Sequence, residues 1–515
     1  MPVGVRTAAN GVRKPPVQAM GESADRSSIL VLTSFCRPFG RGLAGGSGGL
    51  LTTTTISVGR IRPVAVRASV ALFLALCIGI CAVLPSRASA TQVSSPGVHE
   101  GVASCAGSTC HGRQAPDGAV VRQNELVSWQ DPSGPGGSHS RAWRTLTYPR
   151  AQAITRRLGL GPAQNAPACL GCHAEPAAAR GARFQVSDGV GCESCHGPSG
   201  GWIASHYTVG VSHSANVARG MTPLEDPVVR ANVCLDCHWG SDRPNQFVTH
   251  EMMSAGHPRL SFELELFTAF QQHHDVDADY VQRKATMDSA RLWAIGQAVA
   301  LQRILTVYGD AGRAGNGTFP EFYFFDCHSC HRPISDEPNA PLLVEANPGR
   351  PIPAGMPPFN DENMIMLAAA ARTAPASLAQ RFQADSRAFH QALGSDRAGA
   401  VEAARRLAGT AGQLSASFAS SPFSRADTFA ILEDVLGEAL APRYTDYSGG
   451  AQAVMAVDTL LNALVAQGEI EAAAVRAMRP DIDRAYAAVR DPNRYRPQEF
   501  RRAMGGVATA VRRAR

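Results

Sequence analysis

Gly189-Val190-Gly191-Cys192-Glu193-Ser194-Cys195-His196-Gly197-Pro198 is the stretch from which the rest of this chain is read. Two residues separate its cysteines, and a histidine follows the second directly. Cys-x-x-Cys-His is the attachment signal of c-type haem: two thiols bond the porphyrin vinyl groups and the adjacent imidazole ligates the iron. Both sulfurs must reach one porphyrin edge while the histidine turns beneath the metal, so the spacing is part of the chemistry. The same pattern stands at Cys169/Cys172/His173, Cys234/Cys237/His238 and Cys327/Cys330/His331. A fifth copy, Cys105-Ala106-Gly107-Ser108-Thr109-Cys110-His111, carries two extra residues between its cysteines. Paired cysteines also build zinc ribbons and redox dithiols, but neither chemistry needs a histidine directly after the second cysteine. In the expanded motif a small loop at Gly107 and Ser108 would return Cys110 to normal reach. The alternatives there are a haem held by one thioether, or a structural loop with no haem.

Of thirteen cysteines, ten sit in the five motifs, and the other three, Cys36, Cys77 and Cys81, all precede residue 90. The body of the chain therefore keeps no thiol for a structural disulfide, and its stability must come from its core and its haems. Residues 61–90 read as a cleaved Sec-type signal peptide. Arg60, Arg62 and Arg67 form a positive region, 68–84 is an apolar run of 17 residues, and Ala88-Ser89-Ala90 is an A-x-A cleavage site. An uncleaved anchor is the alternative, but 17 residues is at the short limit for a span. The expected location is periplasmic or otherwise extracytoplasmic, with no transmembrane helix in the mature chain. Residues 1–60 read as a start called too early, with Val58 a candidate true start, or as a disordered extension. The first 90 residues hold ten basic and two acidic residues, which leaves 39 basic and 41 acidic ones behind them, a net of −2. The formal charge of +6 thus belongs to the leader, and no nucleic-acid partner is implied.

The mature chain divides by composition. Residues 91–340 contain all five motifs and fourteen of the fifteen histidines. This part reads as a pentahaem cytochrome c domain, rich in Gly and Pro, with helical segments at 142–158 (broken near Pro149), 260–272 and 280–308. Residues 341–361 hold six prolines and read as a linker or surface strap. Residues 362–515 read as an Ala-rich helical domain, with amphipathic segments at 362–373, 375–394, 396–416, 423–441, 449–467, 469–489 and 496–513. The fold class expected is mainly α: little regular structure around stacked haems, then an all-α C-terminal region.

Residues 100–240 resemble the cytochrome c-554 family (cytochrome c-552/4 type domains) and, more distantly, the hydroxylamine oxidoreductase-like multihaem proteins. The stretch quoted above carries the resemblance most strongly. His206 falls where the family places a histidine after its third motif. Trp129 and His139 are similar to the family's W…H element, and the motifs at Cys169 and Cys234 match its second and fourth. The expanded first motif, the motif at Cys327 and the helical C-terminus depart from the family pattern. The resemblance implies electron transfer through closely stacked haems. It also implies that the haem of the second motif, here on His173, can lack a distal protein ligand.

Each bis-histidine haem needs a second imidazole, and ten histidines lie outside the motif positions. The resemblance favours His139 and His206 as distal ligands. His257 lies between Ala-Gly and Pro, where backbone freedom beside a fixed turn presents its ring. One of the pair His273 and His274, at a helix end, is expected to ligate. His213 and His250 stand behind these, His328 lies inside a motif loop, and His390 reads as structural. Met252 and Met253 rank below histidine. The function read from all this is an exported cytochrome that carries about five covalent haems c between redox proteins or a membrane respiratory complex. The alternative is an oxidoreductase acting on a small nitrogen or sulfur species at one five-coordinate haem. No Cys-x-x-Cys-Lys motif is present to support an enzyme of the nitrite-reductase kind, so the carrier is the preferred reading.

Overall fold

In the computed structural model, the residues described are 97–114, 123–274, 288–310, 312, 321–327, 330–331, 351, 356–441 and 447–515. The signal region, Cys36, Cys77, Cys81, His328 and most of the proline-rich stretch lie outside them. The fold is mostly helical, as expected. Its first part is a succession of short helices: α1 Glu125–Gln130, α2 Ala142–Thr145, α3 Pro149–Arg157, α4 Pro167–His173, α5 Glu193–His196, α6 Ile203–His206, α7 His213–Val217, α8 Pro227–His238, α9 His250–Ser254 and α10 Leu264–Phe270. The only sheet among the described residues is a two-residue parallel pair, β1 Val98–His99 against β2 Ala179–Arg180. Proline starts α3, α4 and α8, where its missing N–H costs nothing. The break expected near Pro149 is the boundary between α2 and α3.

Longer helices follow: α11 Ser289–Gly309, α12 Glu362–Ala371, α13 Ala376–Ala392, α14 Arg397–Ser420, α15 Arg425–Leu440, α16 Tyr447–Ala466, α17 Ala472–Ala488 and α18 Pro497–Ala514. The last seven answer one for one to the seven segments read from the sequence beyond residue 361. The helix α16 is the one among the described residues long and apolar enough to cross a membrane, and 83% of its apolar window is buried inside the fold.

The sequence division at 341–361 is not a division of the core. One hydrophobic cluster runs from Ala231 in α8 to Val511 in α18. At its centre is α11, assigned by sequence to the haem region. Leu292, Trp293, Ile295, Ala298, Leu301 and Leu305 of this helix are all buried. Its main neighbour is α14, which presents Ala400, Ala403, Ala404, Leu407 and Ala411. Small side chains let the two helices pack closely. Arg291 donates to the carbonyls of Phe418 (3.1 Å) and Ala419 (2.7 Å), satisfying acceptors at the C-terminal end of α14. On its other side α11 meets α8. Arg303 donates to Asp236 (2.6 Å) and Asn232 (2.7 Å), and Asp236 lies inside the motif Cys234-Leu235-Asp236-Cys237. Hydrophobicity on nearly every face of α11, hidden by its distance in sequence from the Ala-rich helices, was the signal that it is a core helix.

This packing yields a measurable expectation. Removal of residues 362–515 should strip the cover from α11 and abolish cooperative unfolding of what remains, followed by circular dichroism and soluble yield. In the full chain, Leu301→Ala, at a fully buried position, should cost about 2–5 kcal/mol in denaturant titration. A truncated chain with an unchanged melting transition would show that the bundle is dispensable.

Candidate functional site

The motifs sit on short helices or turns. Motif two ends α4, motif four ends α8, and motif three forms α5 with Cys192 at its N-cap. In motifs three and five the histidine amide donates to the carbonyl of the first cysteine: His196 to Cys192 at 2.9 Å and His331 to Cys327 at 2.7 Å. The expanded motif keeps this bond, His111 to Cys105 at 3.1 Å, by looping out the intervening residues, with Cys110 N–H donating to Gly107 at 2.8 Å. Gly112 completes the loop; a Cβ there would lie 2.1 Å from the Ala106 carbonyl oxygen.

The ten motif thiols are not enclosed alike. Eight are half-buried, but Cys110 and Cys330 are exposed. For Cys330 the reason is local. Cys330 belongs to no helix; it lies in a turn closed by its own N–H on the Cys327 carbonyl at 3.2 Å, and the next residue, His331, is exposed as well. The other short motifs lie on helices packed into the fold, which carry their second thiols inward. The two-residue spacing sets how far Cys330 stands from Cys327, but not how deeply either is buried.

Every motif histidine faces the imidazole of a histidine from outside the motifs. Ring centres are 6.0 Å apart for His111–His206, 6.2 Å for His139–His238, 6.4 Å for His173–His257 and 6.1 Å for His250–His331. His196 faces both His273 (6.3 Å) and His274 (6.1 Å). An imidazole nitrogen sits about 2 Å from a metal it binds and about 1 Å from its own ring centre, so two rings on opposite sides of one metal stand about 6 Å apart. The pairs therefore fit one iron each, and the motif cysteines, all with free thiols, supply what covalent attachment of haem c requires.

The rings are aimed by their Nδ1 atoms. His173 Nδ1 donates to the Ala142 carbonyl (3.1 Å), His257 to Pro258 (2.8 Å) and His273 to Gln271 (2.7 Å). His111 and His274 both turn Nδ1 to Glu125, at 3.0 and 3.3 Å. A bonded Nδ1 fixes the tautomer that offers Nε2 to a metal. Burial lowers the pKa of His139, His173, His257 and His273 and so favours the neutral, ligating form. It pushes His196 down to about 3, helped by the neighbouring histidines, and His238 down to about 4.

Carboxylates and backbone contacts hold the loops together. Glu193, buried inside motif three, accepts N–H bonds from Glu100 (3.0 Å), Gly101 (2.7 Å) and Ser199 (2.6 Å). His99 is bonded to Glu175 at 2.7 Å, a contact that raises the histidine's pKa. Gly189 adopts φ 76° where a Cβ would lie 2.6 Å from the His139 carbonyl oxygen, and Val190 N–H donates to that oxygen at 3.1 Å. Motifs also meet one another: Cys237 Sγ in motif four lies 3.9 Å from the carbonyl oxygen of Gly171 in motif two. The buried Arg259, two residues beyond His257, reaches the Cys327 sulfur at 3.6 Å and stands 4.0 Å from Glu362.

All five histidines named from sequence as distal candidates, His139, His206, His257, His273 and His274, thus lie opposite motif histidines. His257 stands opposite His173, the motif histidine whose haem, by the resemblance, can lack a distal protein ligand. The residue underrated was His250, which faces His331. Its signal was weak but present: Thr249 caps α9, so His250 opens that helix and His257 follows it closely, two ligands bracketing one short element. His213 instead turns Nε2 to Glu225 at 2.8 Å, and the buried His390 pairs with Asp361 at 3.1 Å. Met253 packs against the hydrophobic cluster.

A family model described as cytochrome c554 and c-prime matches residues 104–197. No curated protein matches, and no solved structure does. The matched stretch spans the expanded motif, the second motif and the third, with His139 between them, and over that stretch the chain is similar to the cytochrome c554 and c-prime family.

Proposed function

We propose that this cytochrome binds five haems c, each between two histidines, and passes electrons among extracytoplasmic redox partners. The observation that carries this is the opposed imidazole at every one of the five motif histidines, at ring separations of 6.0–6.4 Å. Bound haem supplies a one-electron Fe(III)/Fe(II) couple. The chain's part is to supply two imidazoles per site, to withdraw most of them from water and to set the sites side by side. Glu125 bridges His111 of motif one and His274 opposite motif three, Cys237 of motif four touches the Gly171 carbonyl of motif two, α5 and α8 bring motifs three and four into contact, and the segment His257–Arg259 joins two to five. A continuous series of sites suits a relay. An oxidoreductase with one open iron has less support, because His257 stands opposite the one histidine for which an open site was expected. Export is supported by the charged and apolar pattern of 61–90 and by the need of ten motif thiols for covalent haem. The partners proposed are redox proteins or a membrane respiratory complex.

Pyridine haemochrome assay with mass spectrometry should count five haems on a chain beginning near Thr91; four would mean one empty motif, and the mapped haem peptides would tell Cys105/Cys110 from Cys327/Cys330. Electron paramagnetic resonance of the oxidised protein should then show low-spin iron throughout, and carbon monoxide should leave the reduced spectrum unchanged. A high-spin signal in the intact protein would favour the enzyme reading.

His250→Ala tests the pairing least legible in the sequence. It should convert about one iron in five to a high-spin, carbon-monoxide-binding form. His213→Ala, at the exposed pair with Glu225, should leave all spectra as they were.

A further inference from the structure

One side chain touches the ligand sets of two different motifs. Glu125 opens α1, a helix fixed at both ends to the motifs. Leu126 N–H donates to the His111 carbonyl (3.0 Å), and the Trp129 indole donates to Val190 (3.2 Å), two residues before Cys192. The Glu125 carboxylate is therefore held between motif one and motif three. One oxygen meets His111 Nδ1 at 3.0 Å and the other meets His274 Nδ1 at 3.3 Å. The carboxylate is largely withdrawn from solvent, with 15% of its side chain exposed.

We propose that Glu125 is a positioning residue shared by two haem sites: it accepts Nδ1–H bonds from His111 and His274, and so selects His274 over His273 as the ligand opposite His196. This rests on the reading above that His111 and His196 each carry a haem. The argument is electrostatic. A carboxylate accepting Nδ1–H moves negative charge onto the ring and strengthens Nε2 as a donor. Greater donation, together with a nearby anion, favours the oxidised iron. His273 instead turns its Nδ1 to the neutral carbonyl of Gln271 at 2.7 Å. A glutamine cannot replace the carboxylate at both rings. Its amide has one acceptor oxygen, and its NH₂ would face the second Nδ1–H donor to donor.

The test is Glu125→Gln in the full haem-loaded protein, with potentials measured by redox titration followed by visible and paramagnetic resonance spectra. The expected result is an upward shift at two haems, at least one of them by about tenfold in its reduction equilibrium, which is about 59 mV for one electron. The other haems should be unmoved and every iron should stay low-spin. Glu125→Asp, which retains the charge, should restore part of the shift. Unchanged potentials in a variant with its full haem content would overturn the proposal, as would a shift at one haem alone. A second pair of variants stands independently of that fold. His274→Ala should open one iron to carbon monoxide and His273→Ala should not; the reverse would overturn the selection of His274. Haem peptides mapped by mass spectrometry in the unaltered protein separate the two levels. If Cys105/Cys110 or Cys192/Cys195 carried no haem, the underlying reading would fail and this inference with it.

Discussion

Two imidazoles that share one iron must be held about 6 Å apart by backbone arriving from distant parts of the chain. No regular element spans such a pair here, and regular elements are correspondingly scarce before residue 274. Six of the ten helices described there, α4 to α9, carry a histidine or a pair of thiols and are no longer than that placement needs. What replaces the long helix or sheet is a set of non-local staples. Glu193 gathers three backbone amides from two loops, His99 is tied to Glu175, and Trp129 bonds the approach to motif three. Buried carboxylates are costly unless their oxygens are satisfied. Glu193 meets that condition with amides that would otherwise lack partners themselves, so one side chain resolves two problems of desolvation.

The expanded motif shows how little of the motif's length is essential. The two extra residues change the loop between the thiols, yet the histidine amide still reaches the first cysteine carbonyl. What is kept is the backbone closure that sets the imidazole relative to the first sulfur. The extra residues are absorbed where nothing else packs, as loop insertions generally are.

The motif cysteines and histidines could be read as candidates because the pattern is local: in the four short motifs, five residues in a row suggest one attachment site. Distal ligands were legible only in part. His139 and His206 came from resemblance, and His257 from the turn residues around it. His250 could be ranked no higher, because a histidine reveals its partner only once the chain has folded back on itself. Choosing between His273 and His274 was likewise beyond the sequence, since the contact of His274 with Glu125 joins residues far apart in the chain. The seven C-terminal helices were plain from their periodicity and their Pro, Ser and Gly punctuation. The error of scale was α11, whose periodic apolar pattern gave its conformation but not its companions.

Those companions bear on the haem sites directly. The proximal histidine of motif four, His238, is stacked on Phe262 with ring centres 4.7 Å apart and meets Phe267 edge-on at 5.5 Å. Phe262 is in turn pinned by its carbonyl, which accepts from Gln452 of α16 at 2.6 Å. The next residue, Glu263, caps α10 and accepts from Thr459 of the same helix at 2.7 Å. Asp236, within the motif, is held by Arg303 of α11. Three contacts from the helical region thus converge on the residues that set one imidazole. Imidazole orientation and donor strength are what a protein adjusts in a haem site. A bundle that served only as an appendage would touch the haem region at its surface. This one supplies the buried hydrogen bonds behind His238, so the C-terminal helices support the geometry of motif four in the same physical sense as the loops that carry the motifs.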